Sequence, residues 1–369
     1  MREFEYADAK ISDKELMIAI PSITVGVGIL NLPKKIAETT VGSDGWVGIL
    51  IAGIIFTGLA WAITKLCSMY PHQLFVEFAG SLVTKPVAII ITILLSLKGI
   101  LISGFVLRTI SEIAKEYLFD RTPIEVIALT FILVVIYAIS GSRVGLFRLN
   151  MMFFPIIVFI IFLVGIFSIN WFDTINYLPV FKTDLKGYVL ATKSSAFAFT
   201  GLFMLLFYTT LVRTPKKAPK SASIGMSMVP VFYIIIYLMC IGVFGFTGTS
   251  NLNYPIIELA KEIEIPGGFF ERFDSIFFVI WIMAIFNTVT MAFDASIYAL
   301  ESVFKVKKKL LIYILAPIVF LIGMLPQDVL SLQKFGDFVS MYGVFITGSV
   351  TIVLLLISYF KKRRKAKQR

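Results

Sequence analysis

Residues 20–33 read Ile20-Pro21-Ser22-Ile23-Thr24-Val25-Gly26-Val27-Gly28-Ile29-Leu30-Asn31-Leu32-Pro33, an apolar stretch interrupted by two prolines and a Gly-x-Gly. In hydrocarbon an unpaired backbone N–H or C=O costs several kcal/mol, so a broken span persists only where the freed groups face protein, a cavity or a ligand. Two half-helices meeting here leave the carbonyls of Thr24 and Val25 and the N–H groups of Gly26, Val27 and Gly28 without intrahelical partners. N–H donors at a half-helix N-terminus, at the positive end of the dipole, suit a carboxylate, and an amino acid fits such a site. The competing reading is a glycine-rich helix packed closely against a neighbour. A second interruption, Phe199-Thr200-Gly201, falls in the first apolar segment after the chain midpoint. Broken segments at corresponding positions of two halves point to a midplane substrate site in a secondary-transporter fold.

Further polar groups stand inside apolar runs. Lys98, in Leu95-Ser96-Leu97-Lys98-Gly99-Ile100, is expected to face a cavity or a carboxylate, as a proton-linked or water-path residue; the alternative is an ammonium that snorkels or finds carbonyls. Asn287, Thr288, Thr290 and Asp294 are spaced to share one inward helical face, with Thr288 the preferred ligand contact and Asn287 and Asp294 candidates, with Lys98, for an ion or water path. Their hydroxyls can equally bond their own helix. Asp294 is a candidate counter-charge for Lys98 or Arg108, and Glu301 for the basic loop beside it. Catalytic chemistry finds little support. One histidine, His72, and two cysteines inside apolar segments, Cys67 and Cys240, make neither a zinc site nor a nucleophilic triad, and no Gly-x-x-x-x-Gly-Lys phosphate loop occurs. No cofactor is expected.

The elements that must hold these residues are membrane spans. Of 369 residues 58% are hydrophobic and only 15% charged, with a mean hydropathy of +0.90, far from the composition of a soluble chain. Apolar windows predict an all-α protein with ten spans, near Glu15–Ile36, Trp46–Tyr70, Val87–Tyr117, Pro123–Ile139, Met151–Ile169, Ala191–Val212, Ile224–Phe246, Phe273–Phe304, Leu310–Leu325 and Val339–Phe360. No stretch between them is long enough for a separate core, so residues 1–369 are read as one transmembrane domain. Five plus five spans oppose the orientations of the halves, an inverted repeat over about residues 13–169 and 190–360. Asn253 to Leu259, before Ile265-Pro266-Gly267-Gly268, suggests a short surface helix.

The net charge of +11 is read as topology, not as nucleic-acid binding. With both termini in the cytoplasm, Arg143, Arg148, Arg213, Lys216, Lys217, Lys220, Lys305, Lys307, Lys308, Lys309 and the tail Lys361-Lys362-Arg363-Arg364-Lys365 collect on that side, where anionic lipid attracts them. No signal-peptide pattern follows the first apolar run.

The Gly26-Val27-Gly28-Ile29-Leu30 run with Leu32-Pro33, and Ala196-Phe197-Ala198-Phe199-Thr200-Gly201, resemble the first and sixth helices of the amino acid–polyamine–organocation superfamily. Arg121-Thr122-Pro123-Ile124-Glu125, Asn176-Tyr177-Leu178-Pro179-Val180, Tyr254-Pro255-Ile256-Ile257-Glu258-Leu259, Phe270-Glu271-Arg272-Phe273-Asp274 and Trp281-Ile282-Met283-Ala284 resemble the spore germination permease family, the B subunits of endospore germinant receptors. The resemblance implies a LeuT-like fold in the spore inner membrane, partnered by A and C subunits, that binds a small germinant such as an amino acid to trigger germination. Carried over by position, it implies a pocket of Gly26, Ile102, Thr200 and Thr288 with Lys98 beside it, and Tyr342 along an ion or water path. The fifth span, Met152-Phe153-Phe154-Pro155-Ile156, lacks the ionisable group that proton-coupled relatives can carry there, which favours a receptor over its alternatives, a proton-coupled amino-acid permease or an ion or water conduit gated by partners.

Overall fold

The computed structural model describes residues 10–26, 28–263 and 273–367. Fourteen α-helices lie within them: α1 (Asp13–Thr24), α2 (Gly28–Ala37), α3 (Gly45–Ser68), α4 (Phe75–Leu82), α5 (Lys85–Tyr117), α6 (Ile124–Ser140), α7 (Arg143–Phe167), α8 (Leu185–Ala196), α9 (Leu205–Tyr208), α10 (Ala218–Asn251), α11 (Pro255–Lys261), α12 (Phe273–Phe304), α13 (Lys308–Met324) and α14 (Val329–Lys367).

Six helices are long and apolar enough to cross a bilayer, and two bent pairs bring the number to eight. The pairs are α1 with α2, bent by 56°, and Leu185–Phe199 with Gly201–Leu211, bent by 41°. The 17-residue helices α6 and α13 complete ten. Both interruptions sit where the sequence places them. In the first, α1 stops at Thr24 and α2 resumes at Gly28. In the second, α8 gives way at Phe197 to a 3-10 stretch that runs to Met204.

Several boundaries differ from the sequence reading. The fifth span starts at Arg143, where Ser142 caps it by accepting from the Gly145 N–H, so its polar first two turns belong to the helix. The seventh begins at Ala218 and the tenth at Val329, each before its apolar core. A helix not foreseen, α4, fills part of the connection after the second span. The expected surface helix α11 has Ile256, Ile257, Leu259 and Ala260 buried, so it is packed into the protein; Ile265 to Gly268, and the Phe270 to Arg272 motif, lie outside the described residues.

The two most enclosed spans, α5 and α12, lie against each other at the centre, and α10 packs along α3. Close approach needs small residues. A Cβ added to Gly99 would stand 2.1 Å from Ser296 Oγ, where reciprocal bonds from Ser96 Oγ to the Ser296 carbonyl (3.1 Å) and Ser296 Oγ to the Ser96 carbonyl (2.9 Å) join α5 to α12.

At the end of the bundle opposite the chain termini, the buried Asp44 accepts N–H bonds from Phe181, Lys182 (2.8 Å) and Thr183 (2.9 Å), clasping the loop before α8 onto the start of α3. Burial pushes this carboxyl up, but the N–H bonds of Thr183, Phe181 and Lys182 outweigh it and hold the group below the usual carboxylate range.

Candidate ligand site between two broken helices

The two breaks meet around a cavity of about 30 Å³ lined by Ile23, Thr24, Gly28, Ile102, Phe105, Val106, Phe197, Ala198, Gly201, Met204, Thr288 and Val339. It brings together five of the residues singled out in the sequence: Thr24, Gly28, Ile102, Gly201 and Thr288. Among the described residues no ionisable side chain lines it. Small-molecule pockets run to about 300–1,000 Å³, so it is closed down far below that size.

Hydrogen bonds from neighbouring helices hold the breaks open. Thr288 on α12 donates to the Ile23 carbonyl at 2.7 Å, with its own-helix acceptor, the Ala284 carbonyl, at 3.3 Å. The own-helix bond is thus present, and the contact across to α1 is the shorter. Gly26 is fixed by the same contact, because a Cβ there would lie 2.2 Å from Thr288 Oγ1. Asn287 Nδ2 donates to Ser22 Oγ (2.8 Å), and Ser22 donates to the Asn150 carbonyl (3.3 Å), binding α12, α1 and α7 together below the break. Asn287, a candidate for an ion or water path, thus clamps the first broken span.

Tyr233 on α10 joins the breaks. Its fully buried hydroxyl lies 2.9 Å from the Thr24 carbonyl and 2.9 Å from the Ala198 carbonyl, one in each interrupted span. It was not singled out in the sequence, where a tyrosine inside an apolar run signals nothing beyond ordinary membrane composition.

Other expected residues lie elsewhere. Phe199 turns away from the cavity, stacking on Phe56 (5.2 Å) and meeting the Tyr233 ring edge-on (5.3 Å). Phe197, two residues earlier, faces the cavity instead. Lys98 is buried and, among the described residues, has no carboxylate partner: its ammonium donates to the Gly343 carbonyl (3.1 Å) and Thr347 Oγ1 (2.8 Å) and lies 4.8 Å from the centre of the Phe203 ring. Tyr342 donates to the Leu94 carbonyl at 2.8 Å. Val27 lies outside the described residues, as does the side chain of Thr200.

Both approaches to the cavity are closed. On the side away from the termini, Phe105 and Phe197 meet edge-on at 5.3 Å and separate it from a second void of about 30 Å³ that reaches Asn31, Lys35, Asn253 and Gln333. Above them Lys35 on α2 pairs with Asp337 on α14 at 2.8 Å. Toward the termini, a void of about 10 Å³ leads from Thr24 and Gly201 to Phe147 and Tyr208, whose rings meet at 5.1 Å. Tyr208 then donates to Asp294 at 2.7 Å.

Asp294 is paired with neither Lys98 nor Arg108. Fully buried, it accepts from Arg143 Nε (3.1 Å) and lies 2.9 Å from the Lys308 ammonium, while Arg108 pairs with Glu112 at 2.6 Å on its own helix. Arg143 also reaches Glu301 (2.7 Å) and stacks on Tyr298, its guanidinium carbon 4.0 Å from the ring centre. The sequence shows Arg143 and Lys308 only as part of the basic face. The fold makes them the counter-charges of a buried carboxylate, an arrangement membrane interiors demand.

Ten spans with the first and sixth broken form a fold of the LeuT type. The chain superposes on a crystal structure of MhsT in complex with L-phenylalanine with a TM-score of 0.74, covering 93% of this chain and 89% of that one at 15% identity. It superposes on Mhp1, a nucleobase-cation-symport-1 family transporter in a closed conformation with bromovinylhydantoin bound, with a TM-score of 0.68, covering 95% and 78% at 13% identity. At those identities the likeness is one of fold. Sequence is more specific: a model of the spore permease family, described as spore germination protein, matches residues 10–330. Spore germination protein GerLB of Bacillus cereus is 41% identical over 99% of this chain and 98% of its own length, and spore germination protein YndE of Bacillus subtilis strain 168 is 30% identical over 96% and 98%. The chain belongs to the spore germination permease family and is an integral membrane protein of a non-enzymatic, permease-like kind.

Proposed function

We propose that this protein is the germinant-sensing B subunit of a spore germinant receptor, and that it binds an amino acid in the cavity between the two breaks. The observation that carries this reading is the composition of that cavity: interrupted main chain from two spans, the hydroxyls of Thr24 and Thr288, and otherwise apolar side chains. A zwitterion needs a donor set for its carboxylate and an acceptor set for its ammonium. Half-helix ends supply both without buried ionic side chains. The apolar wall of Ile23, Ile102, Val106, Met204 and Val339 suits a neutral side chain.

The cavity is smaller than any amino acid, so occupancy requires the half-helices to part. A ligand that binds the parted state better shifts the equilibrium toward it, and this difference is all a receptor needs to signal. The fifth span carries no ionisable group from Met151 to Phe167, which favours a receptor over a proton-coupled permease. The subunit works in the spore inner membrane with A and C subunits, both termini on the core side.

The test is a binding screen of amino acids, sugars and nucleosides against the assembled receptor, followed by reconstitution of the chain in liposomes under an imposed proton gradient. Saturable binding of an amino acid without accumulation is the expected result. Accumulation inside the liposomes would make it a permease, and binding only of sugars or nucleosides would refute the assigned ligand class.

A further inference from the structure

Away from the ligand cavity, a groove of about 570 Å³ runs along the outside of the bundle between α3, α8 and α14. Its walls are apolar, and two of its glycines are uncovered: a Cβ built on Gly58 or on Gly348 meets no atom within 4 Å. On the same helix as Gly58, by contrast, Gly48 and Gly53 are packed against Ala191 and Pro230. Bare glycines in a membrane-facing groove are what a second helix needs to bring its backbone close.

Lys193 on α8 lines the same groove, exposed, and makes no hydrogen bond or ion pair among the described residues. It stands eight residues after Leu185, about 12 Å along α8 at 1.5 Å per residue, among the apolar groove residues Val189, Ala196 and Val344. An ammonium in an apolar, membrane-facing groove calls for an anionic partner. The larger groove of about 820 Å³ between α5, α6, α7 and α12 has no charged residue in its lining to select one.

We infer that the α3–α8–α14 groove seats a transmembrane helix of a partner subunit, packed on Gly58 and Gly348 and carrying an aspartate or glutamate opposite Lys193. The seat adjoins the site without being part of it. Phe56 at its floor stacks on Phe199, and Thr192 and Ala196 on its wall lead directly into the 3-10 stretch of the second break. A helix lodged there touches the element that must shift when the central cavity opens. The inference concerns the partner surface and holds whichever small molecule the cavity takes.

The experiment places a photo-crosslinking benzophenone side chain at position 58 in the receptor assembled in native membranes, with position 133 on α6 as the control. The expected adduct maps to a membrane segment of a partner subunit that contains an acidic residue. Lys193→Glu lowers its yield about tenfold, the scale of one lost interhelical polar contact, and changing the mapped acid to lysine restores it. Lys193→Leu gives the same loss should charge reversal impair insertion. Small-molecule binding and the gel-filtration profile of the purified chain stay unchanged in these variants, so a failed docking surface is distinguishable from a failed ligand site. Adducts with lipid alone, or a yield indifferent to Lys193, would overturn the inference.

Discussion

Replacing Gly26 with alanine tests the ligand site with a single methyl group. The added Cβ falls 2.2 Å from Thr288 Oγ1 and 3.1 Å from Thr288 Cβ, against the 3.4 Å or more of ordinary contact. Thr288 can relieve this only by turning its hydroxyl off the Ile23 carbonyl or by pushing α12 away from α1. Either movement breaks the 2.7 Å bond and leaves a main-chain oxygen bare beside the first break. Stranding a buried acceptor costs about 1–3 kcal/mol, which corresponds to roughly 5- to 150-fold in apparent affinity. The assay is the germinant concentration giving half-maximal dipicolinate release from spores whose sole receptor carries the variant, with membrane levels of the chain checked by immunoblot. Thr288→Ala removes the same bond without a clash, so Gly26→Ala/Thr288→Ala is expected to match Thr288→Ala alone, a strongly non-additive cycle. An unshifted dose response for Gly26→Ala, or strict additivity in the double variant, would refute the reasoning.

Tyr233→Phe removes the hydroxyl shared by the two breaks and is expected to destabilise the purified chain by about 1–3 kcal/mol, read as a lowered melting temperature in detergent. Lys98→Met replaces a buried ammonium that has no carboxylate; the variant is expected to melt no lower than the parent, with any gain on the order of 1 kcal/mol. Asp294→Leu leaves Arg143 and Lys308 without their shared counter-charge, at a cost of about 3–5 kcal/mol, and is expected to yield little folded protein by gel filtration; Asp294→Asn is expected to retain more. Asp44 provides a pH signature. Its folded value is lowered, so its contribution is complete above the unfolded carboxylate value of about 3.9 and is lost as pH falls through the folded value. Melting curves from neutral to acid pH are expected to show that loss in the parent and not in Asp44→Asn.

The breaks were legible because glycine and proline both weaken a helix, and a membrane span tolerates them together only where the freed main chain is satisfied; Thr24, Gly28 and Gly201 entered the cavity with them. Polar helix ends were harder to read. The first turns of α7 contain Arg143, Arg148 and Asn150, and those of α14 contain Gln333, Lys334 and Asp337, so hydropathy, which registers contact with lipid, passes over residues that helical hydrogen bonding includes. Phe199 was hidden by a change of period. A 3-10 helix advances about 120° per residue instead of about 100°, so after Ala196 the faces rotate, carrying Phe199 to α3 and Phe197 to the cavity. Pairings such as Asp294 with Arg143, 151 positions apart, arise only when ten spans close around one another.

The hydroxyl of Tyr233 carries one hydrogen and faces two carbonyl oxygens. If one half-helix swings out, the hydroxyl turns its hydrogen wholly to the carbonyl that stays, so the first departure costs only a share of a bond, whereas departure of both strands the hydroxyl as well. Loosening one break therefore tightens the grip of Tyr233 on the other, and a single proton carries news of either helix to its neighbour.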